Sequence, residues 1–139
     1  MAVTPPKIGE VILYGYLWRN QHAAGQIEAL KYRPCVVLDT KQNADGSTLT
    51  FVAPITHTRP NASESSIQIN PGTARRVGLD DPDTDKWLIT SEVNQFTWPG
   101  PDRLPVTYRG PMPAKLVSHA AEKFVESGAV TVERKGHAH

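Results

Sequence analysis

A chain of 139 residues, 39% hydrophobic and 21% charged, holds enough apolar material for one domain with a modest core and too little for a second. A net charge of +1 supplies no general pull toward nucleic acid, so any such contact must come from a local basic patch. No apolar run approaches the roughly 20 residues of a membrane span, residues 1–9 lack the apolar core of a secretory signal, and a single cysteine, Cys35, excludes an internal disulfide framework; the expectation is a cytoplasmic protein with no membrane partner.

Residues 9–18 (GEVILYGYLW) are rich in β-formers and predict a first strand that bends at its glycines. Residues 19–31 are small, polar and mixed, which predicts a long functional loop in place of a helix. Two β-branched runs follow, 32–38 (YRPCVVL) and 51–56 (FVAPIT), around the turn residues of 42–47 (QNADGS), and should pair antiparallel. Residues 65–69 alternate as a strand closed by an Asn70-Pro71-Gly72 turn, and 86–91 and 92–98 supply further strands stopped by Pro99-Gly100-Pro101. From Pro113 to Glu126, Leu116, Val117, Ala120, Phe124 and Val125 recur at helical spacing, with Gly128 as a stop. The polar tail 133–139 should fray, its two histidines solvated. The expected fold is mainly β: a small barrel of five to seven antiparallel strands with one amphipathic C-terminal helix, in a single domain with its core in 7–128.

Five scattered histidines and no cysteine pair give no metal motif, and no glycine-rich loop stands between a strand and a helix, so neither a metal nor another cofactor is expected. Arg33 and Thr56, at strand ends, can hold a phosphate: the guanidinium forks onto two oxygens and the hydroxyl donates to a third. A rim salt bridge for Arg33 and a backbone bond for the Thr56 hydroxyl are the structural alternatives. A basic patch can draw on Arg19, Lys31, Arg33, Arg59, Arg75 and Arg76, while Asp80, Asp81, Asp83 and Asp85 form an acidic loop. His22 and His57 carry imidazoles that titrate near neutrality, and Glu28 is another possible base. Strand alternation would turn His57 away from the face of Thr56 unless the strand ends there, which favours His22. Trp18, Trp87, Trp98, Tyr14 and Tyr16 could stack bases, but a small barrel needs such side chains as filling.

The ordered set Gly9-Glu10-Val11, RPCVVL from Arg33, Pro54-Ile55-Thr56, Arg76-Val77-Gly78-Leu79 and Glu92-Val93 resembles the MazF/PemK family of toxin-antitoxin ribonucleases, over residues 7–98 and a C-terminal helix. The resemblance implies an SH3-like barrel and a homodimer. It also implies a metal-independent endoribonuclease that cuts single-stranded RNA through the 2′-hydroxyl and is held inactive by a cognate antitoxin. RNA carries its own nucleophile, so such cleavage needs only a base, an acid and charge stabilisation. Arg33 and Thr56 match the family's arginine and hydroxyl positions, and His22 lies where some members carry a histidine. With Glu92 these form the candidate catalytic set; Arg19, Lys31, His57, Arg59, Arg76 and Asn94 form the candidate RNA contacts. The chain departs from the pattern where the family carries an acidic residue before a glutamine and then a basic residue: Ser91, Glu92 and Asn94 fall on those positions. A shift of one residue would let Glu92 supply the carboxylate, but from the opposite sheet face. The competing expectation is an inactive SH3-like binding module acting through a protein partner.

Overall fold

The computed structural model describes residues 4–26, 31–100, 103–104 and 108–134. Among the described residues eight strands and three helices follow in the order β1 (Val11–Tyr14), α1 (Arg19–Ala23), β2 (Arg33–Gln42), β3 (Thr48–Thr56), β4 (Ser66–Ile69), α2 (Pro71–Val77), β5 (Lys86–Ile89), β6 (Glu92–Thr97), β7 (Arg103–Leu104), α3 (Ala114–Glu126) and β8 (Val130–Glu133). The fold is mainly β and barrel-like, as expected, with the helices packed around its sheet.

The β2–β3 hairpin is its spine. Asn43 and Gly46 close the turn through Asn43 N–H to Ser47 O at 2.9 Å and Gly46 N–H to Asn43 O at 3.0 Å, and the strands pair from Gln42↔Thr48 to Cys35↔Pro54. A bulge between Val37 and Asp39 bends the hairpin midway. β1 lies antiparallel on the other edge of β2, and β7 on β1. The second edge of β3 is divided: residues 49–52 pair with β6, and 55–56 pair with β5, which carries β4. One strand thereby belongs to two sheets, and the divergence curls the structure toward a barrel.

Alternation along β2 and β3 builds two apolar clusters. Val36, Leu38, Ala53 and Ile55 join Ala74 and Val77 of α2 and Val117 and Ala120 of α3 on one face. Cys35, Val37 and Val52 join Ile12, Tyr14, Tyr16 and Phe96 on the other, with Trp18 and Trp98 packed against them. Tyr14 stacks on Phe96 with centroids 4.5 Å apart. Burial pushes the Cys35 thiol well above the ordinary range, which suits a filler.

Four expectations are corrected. The segment after Trp18 opens with the short helix α1 where a loop was expected, because the Gln21 side chain accepts from Trp18 N–H at 3.1 Å and so stabilises the first turn. Asn70-Pro71-Gly72 does not merely turn the chain but starts α2: the Asn70 side chain accepts from Thr73 N–H at 2.8 Å, with proline at the first helical position. The C-terminal helix is followed by an eighth strand, β8, which lies parallel to β6 and removes Glu133 from the frayed tail; residues 135–139 lie outside the described residues. Val125, 78% exposed, is off the buried face of α3 that Val117 and Ala120 define.

α2 stops at Gly78, whose φ of 92° places it in the left-handed region while the N–H groups of Gly78 and Leu79 both reach Ala74 O, at 3.0 and 2.9 Å. A Cβ there would also sit 3.0 Å from Arg109 Cγ. Gly78→Ala is expected to destabilise the protein by about 1–3 kcal/mol, read as a lowered denaturation midpoint at unchanged m-value.

Candidate functional site

Extending the β2–β3 register two residues beyond Cys35↔Pro54 sets Arg33 opposite Thr56, and the β3–β5 register sets Thr56 opposite Trp87. Where the sheets part, Arg33 and Thr56 line a cavity of 480 Å³. Its walls come from the entry to α1 (Trp18, Arg19, Gln21), the turn after β3 (His57, Arg59, Asn61, Glu64) and the β5–β6 junction (Ser91, Glu92). Four cations, Arg19, Lys31, Arg33 and Arg59, face two carboxylates, Glu64 and Glu92, so this cavity is electropositive on a nearly neutral chain.

Arg33 is half-buried, its guanidinium 5.1 Å from the Trp18 ring centroid. Its Nε is buried with no hydrogen-bond partner, and among the described residues the single ion pair is Arg75 with Asp83. The rim salt bridge is therefore absent among the described residues. Desolvation lowers the Arg33 pKa from its ordinary value but leaves the group charged at working pH. A partly desolvated cation with an unsatisfied donor favours an anion. The Thr56 hydroxyl accepts from Thr58 N–H at 3.1 Å, the backbone bond that was the alternative reading, but an accepting hydroxyl keeps its hydrogen to donate.

Glu92 is 6% exposed, and its Oε1 accepts from Tyr16 Oη at 3.1 Å and Arg19 N–H at 2.8 Å. Burial raises its pKa above the ordinary glutamate value; the bond from Arg19 N–H, the Tyr16 hydroxyl and the Arg19 charge oppose this, and Glu64 adds to it. Ser91 and Glu92 both line the cavity because they stand at the junction of two strands, before alternation separates them. A register shift is not needed to bring the carboxylate in.

Arg19, Lys31, His57 and Arg59 thus join Arg33, Thr56 and Glu92. β3 ends at Thr56, so alternation does not turn His57 away, and it lines the cavity. Arg59 lies over Trp87 at 6.0 Å. His22 is exposed on α1 and is not among the cavity's lining residues, reversing the preference for it over His57. Arg76, in the last turn of α2, lines a separate groove with Arg109. Asn94 is fully buried: it accepts from Leu17 N–H at 2.9 Å and donates to Leu17 O at 2.8 Å, so it braces the wall behind the cavity and does not face solvent. Glu28 lies outside the described residues. Of the stacking candidates, Tyr14 and Tyr16 are core, Trp98 packs against that core, and Trp18 lines the cavity.

Sequence reading missed Gln21, Asn61 and Glu64. The signal was local: Asn61 Oδ1 accepts from Ser63 N–H at 2.9 Å while Glu64 Oε1 accepts from Asn61 N–H at 3.0 Å, a tight turn encoded by Asn-Ala-Ser-Glu. No protein-family model matches the chain, and no curated protein matches it.

Asn94→Ala removes the partners of both the N–H and the C=O of buried Leu17, which belong to two adjoining peptide groups. The expected cost is about 2–4 kcal/mol, seen as a lowered melting temperature, and the loss should exceed that of His22→Ala or Arg76→Ala, which lie outside the core.

Proposed function

We propose that the protein is a metal-independent endoribonuclease that cuts single-stranded RNA by 2′-hydroxyl transesterification, acting as the toxin of a type II toxin-antitoxin system. The observation that carries the reading is one electropositive cavity that joins the Arg33 guanidinium, its Nε unpaired, with the Thr56 hydroxyl and the buried carboxylate of Glu92. In this reading a scissile phosphate binds Arg33, which stabilises the phosphorane charge, and Thr56 donates to a phosphate oxygen and orients it. Glu92, its pKa raised by burial, takes the 2′-hydroxyl proton. In the same reading the 2′-oxygen then attacks phosphorus and the 5′-oxygen leaves with a proton from His57, giving a 2′,3′-cyclic phosphate and a 5′-hydroxyl. Arg19, Lys31 and Arg59 hold the flanking phosphates. The resemblance to the MazF/PemK family extends the proposal to a homodimer restrained by a cognate antitoxin in the cytoplasm.

A second reading, an inactive binding module working through a protein partner, is favoured by the bonds that already occupy Glu92 and Thr56. Tyr16 and Arg19 N–H bind the carboxylate, and Thr58 N–H binds the hydroxyl.

Incubation with a long single-stranded RNA in EDTA, with mapping of the new 5′ ends, separates the two. The expected result is cleavage at recurrent short sites that falls by about 10²–10³ in Arg33→Ala. Intact RNA from the folded wild-type protein would sink the ribonuclease reading and leave the binding module.

Glu92 supplies a prediction in pH. A carboxyl whose folded-state pKa is raised contributes stability below its unfolded pKa that is lost as pH rises through the folded value. Glu92→Gln, which keeps the acceptor oxygen, should therefore gain melting temperature relative to wild type as pH climbs from about 4 to about 8. Wild-type cleavage should fall on the acid side with a midpoint above the ordinary glutamate value, a limb that Glu92→Gln lacks.

A further inference from the structure

A second cavity, of 460 Å³, adjoins the first and shares Lys31, Arg33, Thr56 and His57 with it. That volume is within the range that holds a small ligand. A strand whose phosphate lies on Arg33 would therefore have one cavity on each side of that phosphate.

The second cavity has different walls. Leu13, Pro34, Ile55 and Leu79 make it apolar at the base, with Tyr108 half-buried against the core and Tyr32 at the mouth. Tyr32 is 44% exposed, a large aromatic left outside the core beside Arg33. The opposite rim is built. Lys86, 7% exposed, donates from Nζ to Asp81 O at 2.6 Å and Thr84 O at 3.3 Å, and these bonds hold Asp81 at φ 48°, a backbone conformation unfavourable for a non-glycine residue. Asp80 and Asp81 line this rim, both exposed. Lys31 and Arg33 line this cavity too, and Lys86 is turned onto backbone carbonyls; beside Asp80 and Asp81 a second phosphate is disfavoured, whereas a planar neutral ring can stack on a tyrosine and donate an exocyclic amine to a carboxylate.

We propose that this second cavity is a nucleobase subsite, which takes the base next to the phosphate on Arg33 against Tyr32 and Tyr108 and favours a base whose exocyclic amine reaches Asp80 and Asp81. The proposal rests on the ribonuclease reading and adds to it the element that selects sequence.

The test is equilibrium binding of labelled single-stranded oligocytidine and oligouridine, 2′-O-methylated throughout so that no nucleophile remains. The two bases differ where the amine stands. Wild type should bind oligocytidine more tightly. Tyr32→Ala should weaken binding about 5- to 100-fold while Tyr32→Phe binds as wild type, and Asp80→Asn with Asp81→Asn should erase the preference for cytidine. If Arg33→Ala weakens binding but Tyr32→Ala does not, or if Tyr32→Phe loses as much as Tyr32→Ala, the subsite is overturned while the ribonuclease reading stands. Equal binding of the two oligomers by wild type overturns the amine contact. Binding that is absent, or indifferent to Arg33→Ala, overturns both this proposal and the phosphate site beneath it.

Discussion

The divided edge of β3 is the constraint on which the site depends. A strand has two hydrogen-bonding edges, and β3 gives one wholly to β2 and splits the other between β6 and β5. Two sheets cannot share one edge without parting, and they part beyond Val52. At that parting Thr56 stands between β2, which brings Arg33, and β5, which brings Trp87, while the β5–β6 junction brings Ser91 and Glu92. The cavity is thus the space left by the branching of the sheet, and its floor is ladder backbone that cannot shift without breaking pairs.

A buried polar network fixes the remaining wall. After β1 the segment 15–19 leaves the ladder, yet its peptide groups find partners on side chains. Arg134 donates to Gly15 O at 2.7 Å, Asn94 takes both groups of Leu17, and Glu92 accepts from Arg19 N–H. Unpaired peptide groups are costly when buried, so these three side chains decide where the entry to α1 can lie. Glu92 has a double position as a result. The bonds that hold the wall also orient its carboxylate, and burial there raises its pKa, so the proposed proton transfer would draw on a group that the structure already uses. Tyr16, fully buried and raised in pKa mainly by desolvation, stays a donor to it.

Local charge matters more here than the total. A chain with a net charge of +1 would attract RNA weakly at long range, but four cations around one cavity, with Arg33 partly desolvated, act where the screening of salt and water is least. Asp80 and Asp81 line only the adjoining cavity, where they offset part of the charge of Lys31 and Arg33, which the two cavities share.

The hairpin of β2 and β3, the strands β5 and β6 and the helix α3 were legible in the sequence, because each rests on periodicity or turn chemistry contained in a few neighbouring residues. So were Arg33 and Thr56 as a pair at strand ends, since Arg33 opens one β-branched run and Thr56 closes the next. Helix α1 and the helical start at Asn70 were not, because α1 hangs on Gln21 folding back to Trp18 and Asn70-Pro71-Gly72 has the composition of a turn. Asn94 and His22 illustrate the deeper limit. An exposed amide and a buried amide have the same sequence signature, and only the crossing of residues 15–19 over β6 turns Asn94 into a clamp; likewise only the end of β3 at Thr56 admits His57 and passes over His22. Local patterns of residues were enough to dictate the mainly β character, the hairpin and the place of Arg33 and Thr56 at strand ends, because none of these needs a distant partner. That Glu92 faces the cavity, that Arg76 does not, and that Tyr32 and Tyr108 line one cavity beside Arg33 were settled by the folded chain alone, because each depends on contacts between segments tens of residues apart.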